Sequence, residues 1–348
     1  MRSRSGRQSE GRMMPHNDGF ARLAHPYRPE LLAYCYRMLG SVQDAEDLVQ
    51  ETYLRAWRSY EDFEGRASLR TWLYRIATNV CLTALEQRKR RPLPSGLGGP
   101  AEDPEGPLAP PPEVTWLQPF PDRPAPADSD PATIVAARAG LRLALVAALQ
   151  YLPPRQRAVL ILRDVLALRA AEVADLLGIS VPAVKSILQR ARAHLDQVTP
   201  SEDEMTETTN AHQRELLDRY VTAFENADIA TLLELLTTDA VLEMPPTPTW
   251  FTGRSSIGGF FRTRVLTVPG AIRMVATTAN GQPAAAMYQL GSDNAHHIHA
   301  VMVLTTTTAG INRIVAFRDP ELFALFNLPQ TLDRAQGNES AATDEQTP

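Results

Sequence analysis

The sequence predicts a multidomain chain in which two all-α modules precede an α+β module. Three observations lead to this fold class. Apolar residues recur at three- and four-residue steps over residues 21–91 and again over residues 132–199. A proline-rich stretch, residues 92–131, separates these two modules, and strand-like runs follow a helical start in residues 213–330. A length of 348 residues is enough for two or three domains of ordinary size.

Polar sequence at both ends and between the modules completes the division of the chain. Residues 1–20 and 331–348 are low in apolar residues and are expected to be disordered tails. Residues 200–212 are short, acidic and threonine-rich, which predicts a second linker.

Charge is distributed unevenly along the chain, whose formal net charge is −5. Residues 1–91 hold 16 Lys and Arg against 11 Asp and Glu, and residues 132–198 hold 9 against 4. Residues 92–131 hold 1 against 7, and residues 199–348 hold 9 against 18. Two basic modules are therefore separated by an acidic connector and followed by an acidic module. Basic modules favour binding to nucleic acid, which the negative total taken alone would argue against.

Cysteine content and hydropathy narrow the class of protein. Cys35 and Cys81 are the two cysteines, and each lies in a helical pattern without metal-ligand spacing. Buried, reduced thiols in the cytoplasm are expected, with a redox pairing of the two as the alternative. No apolar run approaches the ~18–20 residues that span a bilayer, and the N terminus lacks the apolar core of a secretory signal. We therefore expect a cytoplasmic protein with no membrane partner, no metal and no cofactor.

Residues 44–57 are the most informative segment. Small and apolar residues recur at helical spacing on one face, and carboxylates recur on another. The first face holds Ala45, Leu48, Thr52 and Ala56; the second holds Asp44, Asp47 and Glu51, with Gln50 beside them. A solvated acidic face is the ordinary explanation for such a pattern taken alone. The basic and aromatic segment that follows favours a protein-docking helix instead.

The next segment, residues 66–91, predicts a long helix with a basic outer surface. Ser68 is placed to cap it, and apolar residues including Trp72 form its inward stripe. Tyr60 and Phe63, in the preceding loop, are candidates for stacking on unpaired bases. The outer surface carries Arg70, Arg75, Arg88, Lys89, Arg90 and Arg91.

The connector, residues 92–131, contains thirteen prolines together with glycines and acidic residues. This composition predicts an extended segment without a packed core. Residues 116–120 are apolar for a spacer, and we expect that piece to dock elsewhere on the chain.

Residues 172–192 carry a helix-turn-helix pattern. Gly178 supplies the turn, Ser180 caps the second helix, and Pro182 lies in its first turn. An ordinary helical hairpin with a solvated basic face is the alternative. DNA binding is favoured because the turn, the cap and the small crossing residue Ala174 all agree.

The outward face of the second helix carries the side chains that would enter a major groove. They are Ser180, Pro182, Ala183, Lys185, Ser186, Gln189 and Arg190. Lys185 and Arg190 can pair with guanine or phosphate, and Gln189 can pair with adenine.

These motifs together resemble an extracytoplasmic-function (ECF, group 4) sigma factor. Residues 26–91 are similar to sigma region 2. In that family the counterpart of residues 44–57 grips the β′ clamp helices of RNA polymerase. The counterpart of residues 63–91 melts and reads the −10 element, and Asn79 stands where the family pattern expects a residue of this part. Residues 152–160 and 172–192 are similar to regions 4.1 and 4.2. The resemblance implies that region 4 reads the −35 element and meets the β flap.

Two departures limit what the resemblance implies about promoter sequence. Thr83 stands where family members often carry Asp, and residues 182–187 differ from the usual Gly-Thr-Val-Lys-Ser-Arg. In sigma factors the connector between regions 2 and 4 threads the polymerase's active-site and RNA-exit channels. A net −6 connector suits that path, and we expect residues 92–131 to follow it.

The acidic third module resembles a SnoaL-like domain of the NTF2-like superfamily, an α+β cone whose curved sheet encloses a pocket. Helical residues 214–226 and 228–236 lead into strand-like residues 240–244 and 299–304. The whole arrangement resembles the actinobacterial SigG-type subgroup of sigma factors. Relatives of the cone include isomerases and cyclases, which use a pocket carboxylate or histidine as general base. Glu243, His297 and His299 are the candidates for such a pocket.

The resemblance implies an alternative sigma factor that binds core RNA polymerase and promoter DNA and is not an enzyme. A regulatory third module is favoured because fold similarity alone does not carry activity. Its expected partner is a small apolar ligand or an anti-sigma factor. Two alternatives stay open: a one-component helix-turn-helix regulator with a ligand-binding domain, and a small-molecule enzyme tethered to a promoter-binding unit.

Overall fold

A computed structural model describes residues 17–65, 67–122, 141–198 and 210–332. Most of the three segments expected to be tails or linker lies outside these residues. Their described ends belong to regular structure: residues 17–20 lie in the first helix, residues 210–212 begin another, and residues 331–332 form a short strand. None of the helices in the described ranges is both long and apolar enough to cross a membrane.

The first module, residues 17–91, is a helical bundle. Its helices are α1 Asn17–Ala24, α2 Arg28–Leu39, α3 Val42–Arg58 and α4 Leu69–Glu86. Ser41 caps α3 by accepting from the amide of Asp44 at 3.2 Å, and Ser68 caps α4 as expected, accepting from the amide of Thr71 at 3.1 Å. The small-residue face of α3 is buried against α2 and α4. Its acidic face is thereby turned outward.

The second module, residues 141–198, contains the expected helix-turn-helix. Its helices are α5 Leu143–Leu149, α6 Pro154–Leu160, α7 Ala170–Leu177 and α8 Val181–Val198, and a π-helical turn, Ile161–Val165, follows α6. Gly178 ends α7 in the left-handed conformation, with φ at 64°, which glycine adopts without strain. Val184, Leu188 and Ala191 are buried, so the opposite face of α8 is left exposed.

The third module, residues 210–332, is the expected α+β unit. Its helices are α9 Asn210–Glu225, α10 Ile229–Leu235, α11 Arg254–Phe260 and α12 Pro320–Leu325. Its strands are β1 Leu236–Met244, β2 Thr247–Thr252, β3 Ile272–Ala279, β4 Gln282–Leu290, β5 His296–Thr307, β6 Gly310–Phe317 and β7 Thr331–Leu332. The sheet order is β2-β1-β6-β5-β4-β3, with β7 paired to β5. The β1–β6 pair is parallel, and the other pairs are antiparallel.

The two faces of this sheet belong to different hydrophobic cores, because successive strand residues point to opposite sides. The inner face packs with α9, α10 and α11; it contributes Met244, Ala285, Met287, Met302 and Leu304, and these helices contribute Tyr220, Phe224, Leu232, Ile257 and Phe260. The outer face contributes Ala284, Val303, Val315 and Phe317 to the core that also contains the first and second modules. The third module is therefore built into the same core as the two basic modules.

The connector is described as far as residue 122, and there it corrects the expectation of a segment without a packed core. It has little regular structure beyond a 3₁₀ turn at Pro94–Gly96. Nevertheless Leu93, Leu117 and Phe120 are 5%, 1% and 8% exposed and belong to the shared core. Proline prevents helix and sheet pairing but does not prevent apolar side chains from packing. The piece at residues 116–120 lies between the first and third modules.

Candidate polymerase, nucleic-acid and inter-module contacts

The outward face of α3 combines charge with exposed apolar surface. Asp47 and Gln50 are exposed, and Glu51 is half-buried, with its Oε1 accepting from Arg55 at 2.7 Å. Leu54 and Trp57 are 47% and 49% exposed. Sequence reasoning missed these two, although they continue the three- and four-residue steps of the acidic row. The face can therefore offer both ion pairs and apolar contact to a partner.

A groove of about 670 Å³ lies beside this face. It runs between α1 and α3 and is lined mostly by apolar side chains, among them Phe20, Ala24, Tyr53, Leu54 and Trp57. Apolar grooves flanked by charge are suited to binding an amphipathic helix.

Asp44 differs from the other predicted polymerase-binding residues because it is already paired. Its carboxylate forms ion pairs with Arg88 and Arg91, and the Arg91 contact is 2.6 Å long. The Asp44 side chain is 18% exposed. The structure thus places Asp47, Gln50 and Glu51 on an accessible surface and Asp44 at the edge of an internal ion-pair cluster.

The predicted base-stacking aromatics of the first module stack on one another. The rings of Tyr60 and Phe63 lie 6.3 Å apart at an interplanar angle of 15°, and Phe63 lies 4.8 Å from Trp72. Phe20 of α1 packs 5.0 Å from Tyr60. All but Phe20 are half-buried. A nucleobase that stacks on Tyr60 or Phe63 therefore has to displace one of the ring–ring contacts of this cluster.

Several basic side chains predicted to meet the −10 element are paired with other groups of the same chain. Arg70 pairs with both carboxylate oxygens of Glu30, at 3.0 and 2.9 Å. Arg90 donates to the carbonyl of Gly96 at 3.0 Å and lies 4.2 Å from the centre of the Tyr151 ring. Arg90 is nevertheless exposed, as are Arg75, Asn79 and Lys89. The predicted −10 residues are therefore divided between an open stripe on α4 and a partnered set.

The predicted −35 face of α8 is accessible. Pro182, Lys185, Ser186, Gln189 and Arg190 are exposed, Ser180 caps the helix by accepting from the amide of Ala183 at 3.3 Å, and Ala183 is half-buried. Arg192 pairs with Asp164 through two contacts of 2.9 and 2.7 Å, an ion pair that sequence reasoning missed. This pair ties α8 to the turn after α6 and fixes the presentation of the face.

A buried asparagine joins the three modules and the connector. Asn280 and Gly281 form the turn between β3 and β4, both with positive φ, as two-residue hairpin turns require. Asn280 is fully buried. Its Nδ2 donates to the Tyr36 hydroxyl at 2.9 Å and to the Leu141 carbonyl at 2.7 Å, while its Oδ1 accepts from the amide of Phe120 at 2.8 Å. Each hydrogen-bonding group of this side chain is therefore used at the junction.

Tyr36 is the matching residue on the first module. Its hydroxyl also donates to the carbonyl of Gln118 at 2.8 Å. Burial raises the pKa of Tyr36 above its ordinary value of 10.0. The hydroxyl therefore keeps its proton and serves as donor and acceptor at once.

The turn between α2 and α3 is a second point of contact among the modules. The amide of Gln118 donates to the carbonyl of Gly40 at 3.0 Å, and the Gln118 side chain accepts from the amide of Val42 at 3.1 Å. From the second module, buried Arg157 donates to the carbonyl of Met38 near the end of α2. Burial lowers the pKa of Arg157 to about 10. A cation at a helix C terminus is electrostatically favourable, which offsets part of that burial cost.

The structure does not bring the three pocket candidates together. Glu243 is fully buried on the outer sheet face, where it forms an ion pair with Arg313 and accepts from the connector amide of Ser95 at 2.8 Å. Glu243 and Val303 of β5 both pair with Val315 of β6, so they lie at the same level of the sheet. His299 precedes Val303 by four residues on β5. Four residues of extended strand span about 13 Å, and this distance separates His299 from the level of Glu243.

The two histidines are also in different surroundings. His297 is exposed and contacts Asp293 at 2.9 Å. At His299 a β-bulge interrupts the strict alternation on which the prediction of a common face rested. Burial, and then the charge of Arg318, lower the pKa of His299 from 6.5. The prediction of a shared pocket is therefore wrong for Glu243, because the connector and Arg313 hold this carboxylate outside the cone.

Three family models match the chain in the order of its modules. They are Sigma-70 region 2 at residues 23–91, Sigma-70 region 4 at residues 142–195 and the SnoaL-like domain at residues 217–316. The regulator alternative accounts for the second and third of these matches but not for the first, so the first model favours the sigma factor.

Two curated relatives match the chain over most of their length. The chain is 52% identical over 315 residues to the ECF RNA polymerase sigma factor SigG of Mycobacterium tuberculosis, covering 90% of this chain and 85% of that protein. It is 31% identical to SigJ of the same organism, covering 71% of this chain and 68% of that protein. The crystal structure of SigJ shares the fold, with a TM-score of 0.59 and 24% identity over 89% of this chain and 99% of that one. The protein therefore belongs to the ECF family of RNA polymerase sigma factors.

Proposed function

We propose that this sigma factor is held in a closed arrangement by its connector and third module, and that it opens to bind core RNA polymerase and promoter DNA. The observation that carries this proposal is the shared core. One continuous set of buried side chains includes Leu31 of the first module, Leu117 of the connector, Val159 of the second module and Val315 of the third. Burial of this kind is the dominant favourable term in protein association.

The distribution of contact residues supports the closed arrangement. The −35 face of α8 is open, and so is the α3 face with Asp47 and Gln50. In the basic segment that ends α4, however, Arg88 and Arg90 are engaged with partners inside the chain. The α7 helix also packs on α4. The two DNA-reading modules are therefore in contact with each other, whereas −10 and −35 elements are separate stretches of a promoter.

In the open form we assign polymerase binding to Asp47, Gln50 and Glu51, joined by Asp44 once its arginines are released. Reading of the −10 element falls to Tyr60, Phe63, Arg70, Arg75, Asn79, Arg88, Lys89 and Arg90. Reading of the −35 element falls to the exposed residues of α8. The connector can enter the polymerase channels only after residues 93–122 leave the third module.

We infer that the third module regulates and does not catalyse. Its inner face is filled by aromatic and methionine side chains from helices and sheet. Glu243, one of the three candidate bases, is used to hold the connector. A small apolar ligand or an anti-sigma factor that shifts the closed–open equilibrium is the kind of partner this arrangement suits.

Energy transfer between two fluorophores tests the proposal on the full chain. Cys35 and Cys81 are 0% exposed, so cysteines introduced by Glu61→Cys and Gln197→Cys, both at exposed positions, are labelled selectively. We expect high transfer in the free protein and a marked fall when core polymerase and promoter DNA are added. Run-off transcription with the same protein checks that the opened form initiates at a specific promoter. Unchanged transfer in a transcribing complex would contradict the closed arrangement.

A further inference from the structure

Arg91 connects the acidic helix α3 to the connector. Its Nη2 donates to Oδ2 of Asp44 at 2.6 Å, and its Nη1 donates to the carbonyl of Trp116 at 3.1 Å. The side chains of Arg91 and Asp44 are 13% and 18% exposed. One guanidinium is thus shared by a carboxylate in the first turn of α3 and by the apolar piece of the connector.

The residues after Trp116 transmit that contact to the rest of the junction. The amide of Leu117 donates to the carbonyl of Pro92 at 3.2 Å, Gln118 bonds to Gly40, and Phe120 bonds to Asn280. Because these contacts follow one another along five residues, loosening the first weakens the support of the others. Arg91 therefore lies at one end of the row of contacts, made by residues 116–120, that holds the closed arrangement together.

We propose that Arg91 is a positioning residue that couples polymerase binding at α3 to release of the connector. The proposal rests on the proposed function, since it requires the closed arrangement to compete with polymerase. A basic side chain of the partner that approaches Asp44 competes with Arg91 for the carboxylate. A half-buried guanidinium that loses its counter-ion is costly, so Arg91 turns to solvent and gives up the Trp116 carbonyl. Binding and opening thereby become one event.

Arg88 offers a matched control within the same cluster. It pairs with the same Asp44 carboxylate, and its side chain is 41% exposed. Among the described residues its polar contact is that carboxylate, and it does not reach the connector. Arg88→Ala therefore changes the charge balance at Asp44 as Arg91→Ala does, but leaves the Trp116 contact in place.

Hydrogen exchange of the full chain, read by mass spectrometry, measures directly how well the connector contacts of residues 116–120 are protected from solvent. The reporters are the amides of Leu117, Gln118 and Phe120, each hydrogen-bonded at the junction. Without polymerase, we expect Arg91→Ala to speed their exchange roughly tenfold or more, and Arg88→Ala to leave it near the wild-type rate. Core polymerase should speed exchange in the wild type and add little in Arg91→Ala. Arg91→Lys, which keeps the charge but not the two-sided fork, should fall between.

Either of two results would overturn the coupling. The first is that the three amides exchange as slowly in Arg91→Ala as in the wild type. The second is that they exchange as fast in Arg88→Ala as in Arg91→Ala, because the effect would then come from the charge balance at Asp44 alone. A separate variant, Asn280→Ala, distinguishes this failure from failure of the proposed function. If Asn280→Ala tightens core binding while Arg91→Ala leaves exchange unchanged, the coupling is wrong and the closed arrangement stands. If both variants expose the connector and neither alters core binding, the closed arrangement does not compete with polymerase and both proposals are lost.

Discussion

The side-chain amide Nδ2 of Asn280 donates a 2.9 Å hydrogen bond to the hydroxyl of Tyr36, 244 residues earlier in the chain. Both side chains are fully buried, and neither has an alternative partner in water. The bond fixes the tip of the β3–β4 hairpin against α2, and the connector runs between them through Gln118 and Phe120. The closed arrangement therefore depends on a polar contact inside an apolar junction, where an unmade hydrogen bond is expensive.

Replacing Asn280 by alanine should open the junction. The change leaves the Tyr36 hydroxyl, the Leu141 carbonyl and the Phe120 amide short of a partner, and we expect a loss of about 2–4 kcal/mol from the closed form. If that form competes with polymerase, the apparent affinity for core enzyme rises, because a larger fraction of the protein is competent to bind. The measurement is a titration of labelled sigma factor with core polymerase.

Asn294→Ala is the matched control. Asn294 also has positive φ, 63° against 57° for Asn280, but it is exposed in the β4–β5 loop. Both changes place alanine in the left-handed region, so the difference between them isolates the buried hydrogen bonds. Weaker core binding in Asn280→Ala than in Asn294→Ala would show that the third module assists polymerase binding.

The local features of this molecule were predictable because each is set by neighbouring residues. The cap at Ser68, the left-handed turn at Gly178 and the exposed face of α8 all follow from spacing and side-chain type. The junction was not predictable in the same way. Nothing near Asn280 in the sequence marks it as a buried residue, since Asn-Gly at a hairpin turn is ordinarily exposed.

Glu243 is a second residue whose surroundings were not predictable from the neighbouring sequence. Its position in a strand was predictable, but the face of the sheet toward which it points was not. The carboxylate is buried because Ser95, far away in the connector, covers it. The apolar character of residues 116–120 predicted that this piece docks on the chain. It did not indicate which module the piece would contact.

Gly40→Ala should displace the connector from the α2–α3 turn. Gly40 has φ at 70°, and a Cβ there would lie 2.7 Å from Leu117 Cδ1 and 3.2 Å from Gln150 Cδ. We expect backbone strain of about 1–2 kcal/mol and, in addition, loss of the Leu117 contact. Thermal unfolding and hydrogen exchange at residues 117–120 measure the two effects.

Gly270→Ala controls for the strain alone. Gly270 has φ at 76°, and an added Cβ would meet no atom within 4 Å. It should lower thermal stability without exposing the connector. Equal connector exchange in the two variants would mean that Leu117 adapts to the extra methyl group.

Charge reversal at Asp47 should weaken binding to core polymerase. Asp47 is exposed on α3 and free of the ion pairs that occupy Asp44, so Asp47→Lys alters the binding face with little effect on the fold. Like charges placed together across an interface repel, and we expect affinity to fall about 10–100-fold, which corresponds to about 1.4–2.8 kcal/mol. Asp218→Lys makes the same charge change at an exposed site on α9 and should bind as the wild type does.

Lys185 and Gln189 should contribute to promoter binding in different ways. Lys185→Ala removes a phosphate-pairing charge, so affinity should fall on all sequences and the slope of log K against log[salt] should shrink by about 1. Gln189→Ala removes a base-edge contact, so discrimination should fall by about 1–3 kcal/mol at one −35 base pair, with the salt slope unchanged. Arg262→Ala, at an exposed position in the third module, is the charge control. Titrations of duplexes with single −35 substitutions, at several salt concentrations, separate these effects. If Lys185→Ala and Arg262→Ala lowered the slope equally, the exposed face of α8 would not be the DNA-binding surface.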